Sequence, residues 1–413
     1  MLTPSILSDT VRKYLSTPES IWYALFTVMN VLFLFDLYVD WRQHTVISNP
    51  KRPKELSKLC TEEEYAKSRE YNVDRSRVSL YEKVYNHILG LATLFIAVPW
   101  IWKFTGNYMT NRLGFTSDSE ITHSALHQVV VTIISALQPL PVSIYRTFWL
   151  ERKHGFNKTT VRTFVMDLIK GVLLGLILGI PFTLVFLWVI KRTGNYFVVA
   201  TCAVTLVIQM LMVLIYPTLI APLFNKFTLL EEGELKSKIS ALANRINFPL
   251  TKIFVIDGST RSTHSNAYFF GFYKNKRIVL FDTLIEQMSS EEVAAIVGHE
   301  LGHWAHNHML HGLIQTQLNI LWMFSLFGLV MNYEPLYAAL GLSDRPLVIG
   351  ILLFSQLISP LGMIANLFMT WHSRCREFQA DRYAIDLGYG NVLPTAIIKL
   401  YKENKTILPH PNA

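Results

Sequence analysis

Apolar runs long enough to cross a bilayer recur along this chain, and no other feature limits its fold as strongly. A helix needs about 20 predominantly apolar residues to span roughly 30 Å of hydrocarbon. Ile21–Val39, Gly171–Ile190, Phe197–Tyr216, Leu313–Met331 and Leu347–Thr370 are such runs. Ile88–Trp102 is shorter but ends in aromatic residues, and Val129–Trp149 is broken by Pro139 and Pro141. Seven spans are therefore predicted within the 413 residues. The charged fraction, 16% against about 25% in soluble proteins, agrees with a mainly α, polytopic membrane protein and excludes intrinsic disorder. The first residues carry Arg12 and Lys13 but no apolar core leading to a cleavage site, so Ile21–Val39 reads as a retained anchor. Cys60, Cys202 and Cys375 lie far apart, which gives no disulfide framework.

Charge then orients the chain. Segments 40–87 and 150–170 and the tail after the last span hold ten, five and six Lys and Arg residues. Segments 103–128, 191–196 and 332–346 hold two, two and one. By the positive-inside rule the basic loops and the C-terminal tail face the cytosol. The net charge of +8 thus reads as topology and contact with the lipid bilayer. No helix-turn-helix, zinc-finger or aromatic RNA-binding signature is present, so no nucleic-acid partner is expected.

Residues 217–312 are far less apolar than their flanks and predict a small α+β unit. Glu231–Ile246 has helical periodicity ended by Pro249, and Lys252–Ile256, Ser265–Phe272 and Arg277–Phe281 read as strands, the last two joined as a hairpin through Tyr273–Lys276. Ser289, followed three residues later by Glu292, opens a further helix with a capping box. The organisation expected is a membrane domain over 1–216 with five spans, a cytosolic domain over 217–312, the last two spans in 313–372, and a C-terminal cytosolic segment over 373–413.

The chemistry concentrates in His299–Glu300–Leu301–Gly302–His303. Two histidines at i and i+4 leave one helix face a turn apart, which suits two nitrogen ligands on a tetrahedral zinc. Glu300, beside the first, can accept a proton from an attacking water as general base. A catalytic zinc needs a third protein ligand and an open position. His306, His308 and His311 lie on or just beyond the same helix, while Glu334 and Asp344 fall in a loop on the far side of the membrane. Glu377 and Asp381 follow the last span on the motif's side, four residues apart and so on one helix face. Glu377 can then ligate while Asp381 accepts the outer N–H of a ligating histidine. Spacing does not say which histidine.

Taken in order, Glu151–Asn157, Ile220–Phe227, Ser262–Phe272, Lys274–Leu284, Gly298–Trp304 and Ser373–Asp381 resemble the integral-membrane CAAX prenyl proteases, a type I zinc metalloprotease family, over nearly the whole chain. The resemblance implies seven helices around a water-filled chamber, with one zinc per chain near the cytosolic end, in endoplasmic reticulum and nuclear envelope membranes. It implies removal of the last three residues of CAAX sequences on farnesylated or geranylgeranylated proteins, with a second, more N-terminal cut in some members. It further implies His299, His303 and Glu377 as zinc ligands, Glu300 as the base, and Asn266 and Ala267 at a strand edge where the substrate lies extended. The family pattern continues into a His-Tyr-Ser-His-Pro type segment with an oxyanion-stabilising histidine. Leu408–Ala413 does not match it, so that role is not carried to His410, and weak turnover is an expected consequence. The alternative readings are a quality-control protease for membrane proteins and a prenyl-protein-binding scaffold. A transporter is disfavoured because its ligand site would sit near mid-membrane.

Overall fold

Short polar signals start the long helices. In the computed structural model, which describes residues 16–114, 120–272 and 275–406, Thr17 caps α1 (Pro18–Ile47) by accepting from the Ser20 N–H. Thr61 and Glu64 form a reciprocal capping box at the start of α2 (Glu62–Ala92), the glutamate accepting from the Thr61 N–H at 2.8 Å. Arg12, Lys13, Tyr273, Lys274 and Leu408–Ala413, including His410, lie outside the described residues.

Among the described residues, five helical stretches are long and apolar enough to cross a membrane: Pro18–Ile47, Glu62–Leu113, Glu120–Glu151, Val161–Phe224 and His308–Val330. A pair bent by 66°, Leu347–Leu357 with Ser359–Tyr389, makes six. Counted as continuous stretches these fall one short of the expected seven, because one of them holds two of the expected runs. Gly171–Ile190 and Phe197–Tyr216 fall within the single stretch Val161–Phe224. That stretch is interrupted at Gly194 (φ 52°), where helices α3 (Ile180–Thr193) and α4 (Phe197–Ile215) meet and pack against each other. The bend in the last pair has a chemical cause as well. Pro360 lacks the N–H a continuing ladder needs, so the helix stops at Ile358 and restarts in a new direction. Along these stretches large apolar side chains such as Leu34, Ile177, Val207 and Leu367 are left outside the fold, as a lipid-facing surface requires.

The polar unit is a four-stranded mixed sheet in the order β1–β2–β4–β3. These strands are β1 (Phe227–Leu229), β2 (Leu250–Ile256), β3 (Ala267–Phe272) and β4 (Asn275–Phe281). β2 and β4 are parallel, while β1 and β3 run antiparallel to their neighbours. The hairpin is present, but its second strand begins at Asn275, so part of the expected turn is strand. β1 was not anticipated, because three residues carry too little alternation to read.

Helices α5 (Glu234–Arg245) and α6 (Ser290–Ala305) bury Ile239, Leu242, Val293, Val297 and Leu301 against the sheet's Ile253, Ile278 and Leu280. Helix α7 (His308–Val330) follows α6 directly, and α8 (Ser359–Ala384) is the second half of the bent pair. A final helix, α9 (Leu393–Glu403), returns to this core and places Ala396 within it. The 217–312 segment and the C-terminal segment therefore share one apolar core.

Candidate active site

Four backbone devices bring the chemical side chains together. Ser289 and Glu292 cap α6 reciprocally: Glu292 accepts from the Ser289 N–H at 2.8 Å, and Ser289 Oγ accepts from the Glu292 N–H at 3.3 Å. Lys399 of α9 donates to the same carboxylate at 2.9 Å, which fixes where the helix begins. Val293, Val297 and Leu301 then bury one face of α6, leaving His299, Glu300 and His303 only partly covered. The fourth device is Gly302. A Cβ there would lie 2.8 Å from Ala380 Cα and 3.0 Å from its carbonyl oxygen. Only a glycine allows α6 and α8 to approach this closely, and that approach carries Glu377 and Asp381 to the histidines.

The resulting cluster is compact. His299 Nε2 lies 3.3 Å from His303 Nε2, and Glu377 Oε2 lies 3.4 Å from the first and 3.7 Å from the second. A tetrahedral metal with bonds of about 2.0–2.2 Å has ligand-to-ligand edges of roughly 3.3–3.6 Å. The three donor atoms thus form one face of such a site, and two imidazoles with one carboxylate are a donor set that zinc accepts. Behind His299, Asp381 Oδ1 accepts from Nδ1 at 2.8 Å, which leaves Nε2 bare and settles which histidine Asp381 serves. Burial holds His303 below its usual pKa, with the neighbouring histidine charges acting the same way against Glu377; a neutral imidazole is the form that ligates. Burial, and after it the charge of Glu377, lifts the Glu300 carboxyl to about 7.

His299, Glu300, His303, Glu377 and Asp381 are brought to one place. Asn266 and Ala267 are not part of that cluster. The Asn266 side-chain oxygen accepts from the Ala267 N–H at 2.9 Å, and its backbone carbonyl accepts from Phe281 of β4 at 3.1 Å. Ala267 opens β3, which among the described residues has a strand neighbour on one side only and packs against α6. Alternation in an antiparallel ladder turns the Ala267 carbonyl toward the open edge.

Gly302 and Gln379 were not singled out from the sequence, and His308 was seen only as one of several nearby histidines. Gly302 had a signal, a glycine inside an otherwise strong helix pattern. Gln379 had only its place between Glu377 and Asp381.

Comparison with known proteins adds to this geometry. Residues 43–226 match the family described as CAAX prenyl protease N-terminal, five membrane helices, and residues 229–413 match peptidase family M48. A CAAX prenyl protease 1 homolog of Oryza sativa subsp. japonica is 41% identical, covering 92% of this chain and 90% of its own. The Homo sapiens CAAX prenyl protease 1 homolog is 38% identical over 90% of this chain and 87% of its own. CAAX prenyl protease 1 of Saccharomyces cerevisiae is 36% identical over 95% and 91%. The crystal structure of S. mikatae Ste24p superposes with a TM-score of 0.89 at 36% identity, covering 94% of each chain.

Proposed function

Because the chain belongs to peptidase family M48, with the membrane domain of the CAAX prenyl proteases at its N-terminal side, we propose that it is a zinc-dependent membrane endopeptidase that removes the C-terminal tripeptide from prenylated CAAX proteins. One observation carries the reading: two histidine nitrogens and the Glu377 oxygen form a metal-sized triangle beside Glu300. His299, His303 and Glu377 would hold the zinc, one per chain. When bound, zinc supplies Lewis-acid polarisation of the scissile carbonyl.

This chain's own residues do the rest. Glu300 takes a proton from the attacking water as the new C–O bond forms. It then delivers that proton to the amide nitrogen as the C–N bond breaks, so its carboxylate is restored. Asp381 keeps His299 in the tautomer whose Nε2 is free. The open edge of β3 offers the Ala267 carbonyl to an extended peptide, a mode of binding that depends on backbone and not on sequence.

A lipid-modified substrate fits the surroundings. A cavity of about 640 Å³ lies between α4 and α7, lined by Met210, Val213, Tyr216, Met309, Leu310 and Leu313. Its α7 wall begins at Met309, next in sequence to His308, and offers an apolar surface suited to an isoprenoid chain. The basic loops support a cytosolic site; endoplasmic reticulum and nuclear envelope membranes, and a second, more N-terminal cut, belong to the same proposal through the family resemblance.

Cleavage of a farnesylated CAAX peptide by purified protein, with and without a chelator, tests the reading. Chelator-sensitive release of the terminal tripeptide is expected. Tightly bound prenyl peptide with no release, despite a full complement of zinc, would overturn the enzymatic reading in favour of a binding protein.

A further inference from the structure

Hydrogen-bond chains run outward from both histidines of the cluster. From His299 the chain ends at once on Asp381. From His303 it is longer and carries no charge: His303 Nδ1 is 2.8 Å from His308 Nδ1, and His308 Nε2 is 3.0 Å from Gln379 Oε1.

Local sequence builds the second chain. α6 ends at Ala305, and Asn307 adopts a left-handed conformation with φ 53°. Asparagine is one of the few residues other than glycine that tolerate this region. The reversal makes His308 the first residue of α7 and tucks it under His303, where it is 5% exposed. Gln379 reaches it from α8, on the same helix as Glu377 and Asp381.

Two nitrogens in hydrogen-bond contact share one proton, and that proton can be ordered in only two ways along this chain. In the first, the Gln379 carbonyl accepts from His308 Nε2–H. His308 Nδ1 is then bare and accepts from His303 Nδ1–H, which leaves His303 Nε2 bare. In the second, the amide is turned so that its NH2 donates to His308 Nε2. His308 Nδ1–H then donates to His303 Nδ1, and a neutral His303 carries its proton on Nε2. That proton would point into the space between His299 and Glu377, where a metal needs a lone pair.

We infer that His308 and Gln379 are positioning residues that hold His303 as the Nδ1–H tautomer, so that its Nε2 is free to ligate. They do for the second histidine what Asp381 does for the first, through neutral groups in place of a carboxylate. The inference rests on the metal-site reading proposed above.

The test measures zinc retention of the purified full chain by competition with a fluorescent chelator, a readout independent of turnover. Partners behind a ligating histidine typically contribute about 10–100-fold in metal affinity. Gln379→Leu and His308→Phe should each weaken zinc binding by that factor. The double variant should be no worse than His308→Phe alone, because the two residues act in series. Gln379→Glu, which keeps an acceptor facing His308, should stay within about threefold of wild type. Gln379 is exposed, so its variants remain informative even where the buried His308→Phe protein does not fold. Zinc affinity of folded Gln379→Leu within threefold of wild type would overturn the inference, as would losses that multiply in the double variant or a Gln379→Glu protein as weak as Gln379→Leu. In each of those cases wild-type zinc binding, and with it the metal-site reading, would stand. A wild-type protein that binds no zinc would remove both.

Discussion

Glu300 follows His299 directly, and this adjacency separates two jobs that one side chain could not do together. In the proposed reaction the histidine's nitrogen is committed to the metal position, while the carboxyl beside it is free to move a proton. Glu300→Gln should lower kcat by about 10²–10⁴ and leave zinc stoichiometry at one per chain, as single-turnover cleavage and metal analysis would show. Asp381→Ala should act on the other quantity and weaken zinc binding by about 10–100-fold, measured by chelator competition. At this scale the sequence was readable where the geometry is internal to one helix. His299, Glu300 and His303 follow from an i, i+4 spacing, and Glu377 and Asp381 from a second one. Gln379 could not be read, because its role depends on how two helices far apart in sequence cross.

That crossing is a matter of elements. Gly302 removes the one Cβ that would hold α6 away from the Ala380 backbone. Gly302→Ala should force the helices apart, at a cost of about 1–3 kcal/mol, and should lose zinc along with stability. Melting curves and metal analysis on the same sample would check both. The start of α6 gives a pH-dependent counterpart. Burial favours protonation of Glu292, but the Ser289 N–H and the Lys399 ammonium outweigh it and hold the carboxyl below the usual range. A depressed carboxyl stabilises the fold fully above its unfolded pKa, about 4.3, and that stability is lost as the pH falls through the lower folded value. Wild type should therefore melt above Glu292→Gln at neutral pH, and the two should converge in acid; a gap that persists at low pH would contradict the assignment. The capping box was legible, since Ser289 and Glu292 carry it in their spacing alone. The number of membrane-crossing helices was less so. Hydropathy finds apolar runs but does not report that Gly194 joins two of them within one stretch or that Pro360 bends another.

For the whole molecule, one core gathers residues from both sides of the last membrane helices, and the Arg261–Asp167 pair ties the sheet unit to the membrane helices at 3.0 and 3.1 Å. A metal held by His299, His303 and Glu377 would clamp the same two chain segments together. Chelation should therefore lower the melting temperature of wild type and of Glu300→Gln by similar amounts, following the mass action of a ligand that binds only the folded state. A melting temperature indifferent to chelator would leave the cluster without that clamping role. This architecture was only partly legible, because nothing in 373–413 announces that Ala396 belongs to the core of a unit that begins before Phe227.

The order in which those segments are made has a consequence of its own. His299 and His303 leave the ribosome before α7 and the first half of the bent pair have been made, and Glu377 arrives only within the second half of that pair. At about 5–20 residues per second, the interval is roughly 4–15 s. Throughout it the nascent chain holds two thirds of a metal site and no hydrolytic power. A protease assembled in this way cannot cut its neighbours at the translocon, because it becomes an enzyme only once it has finished becoming a membrane protein.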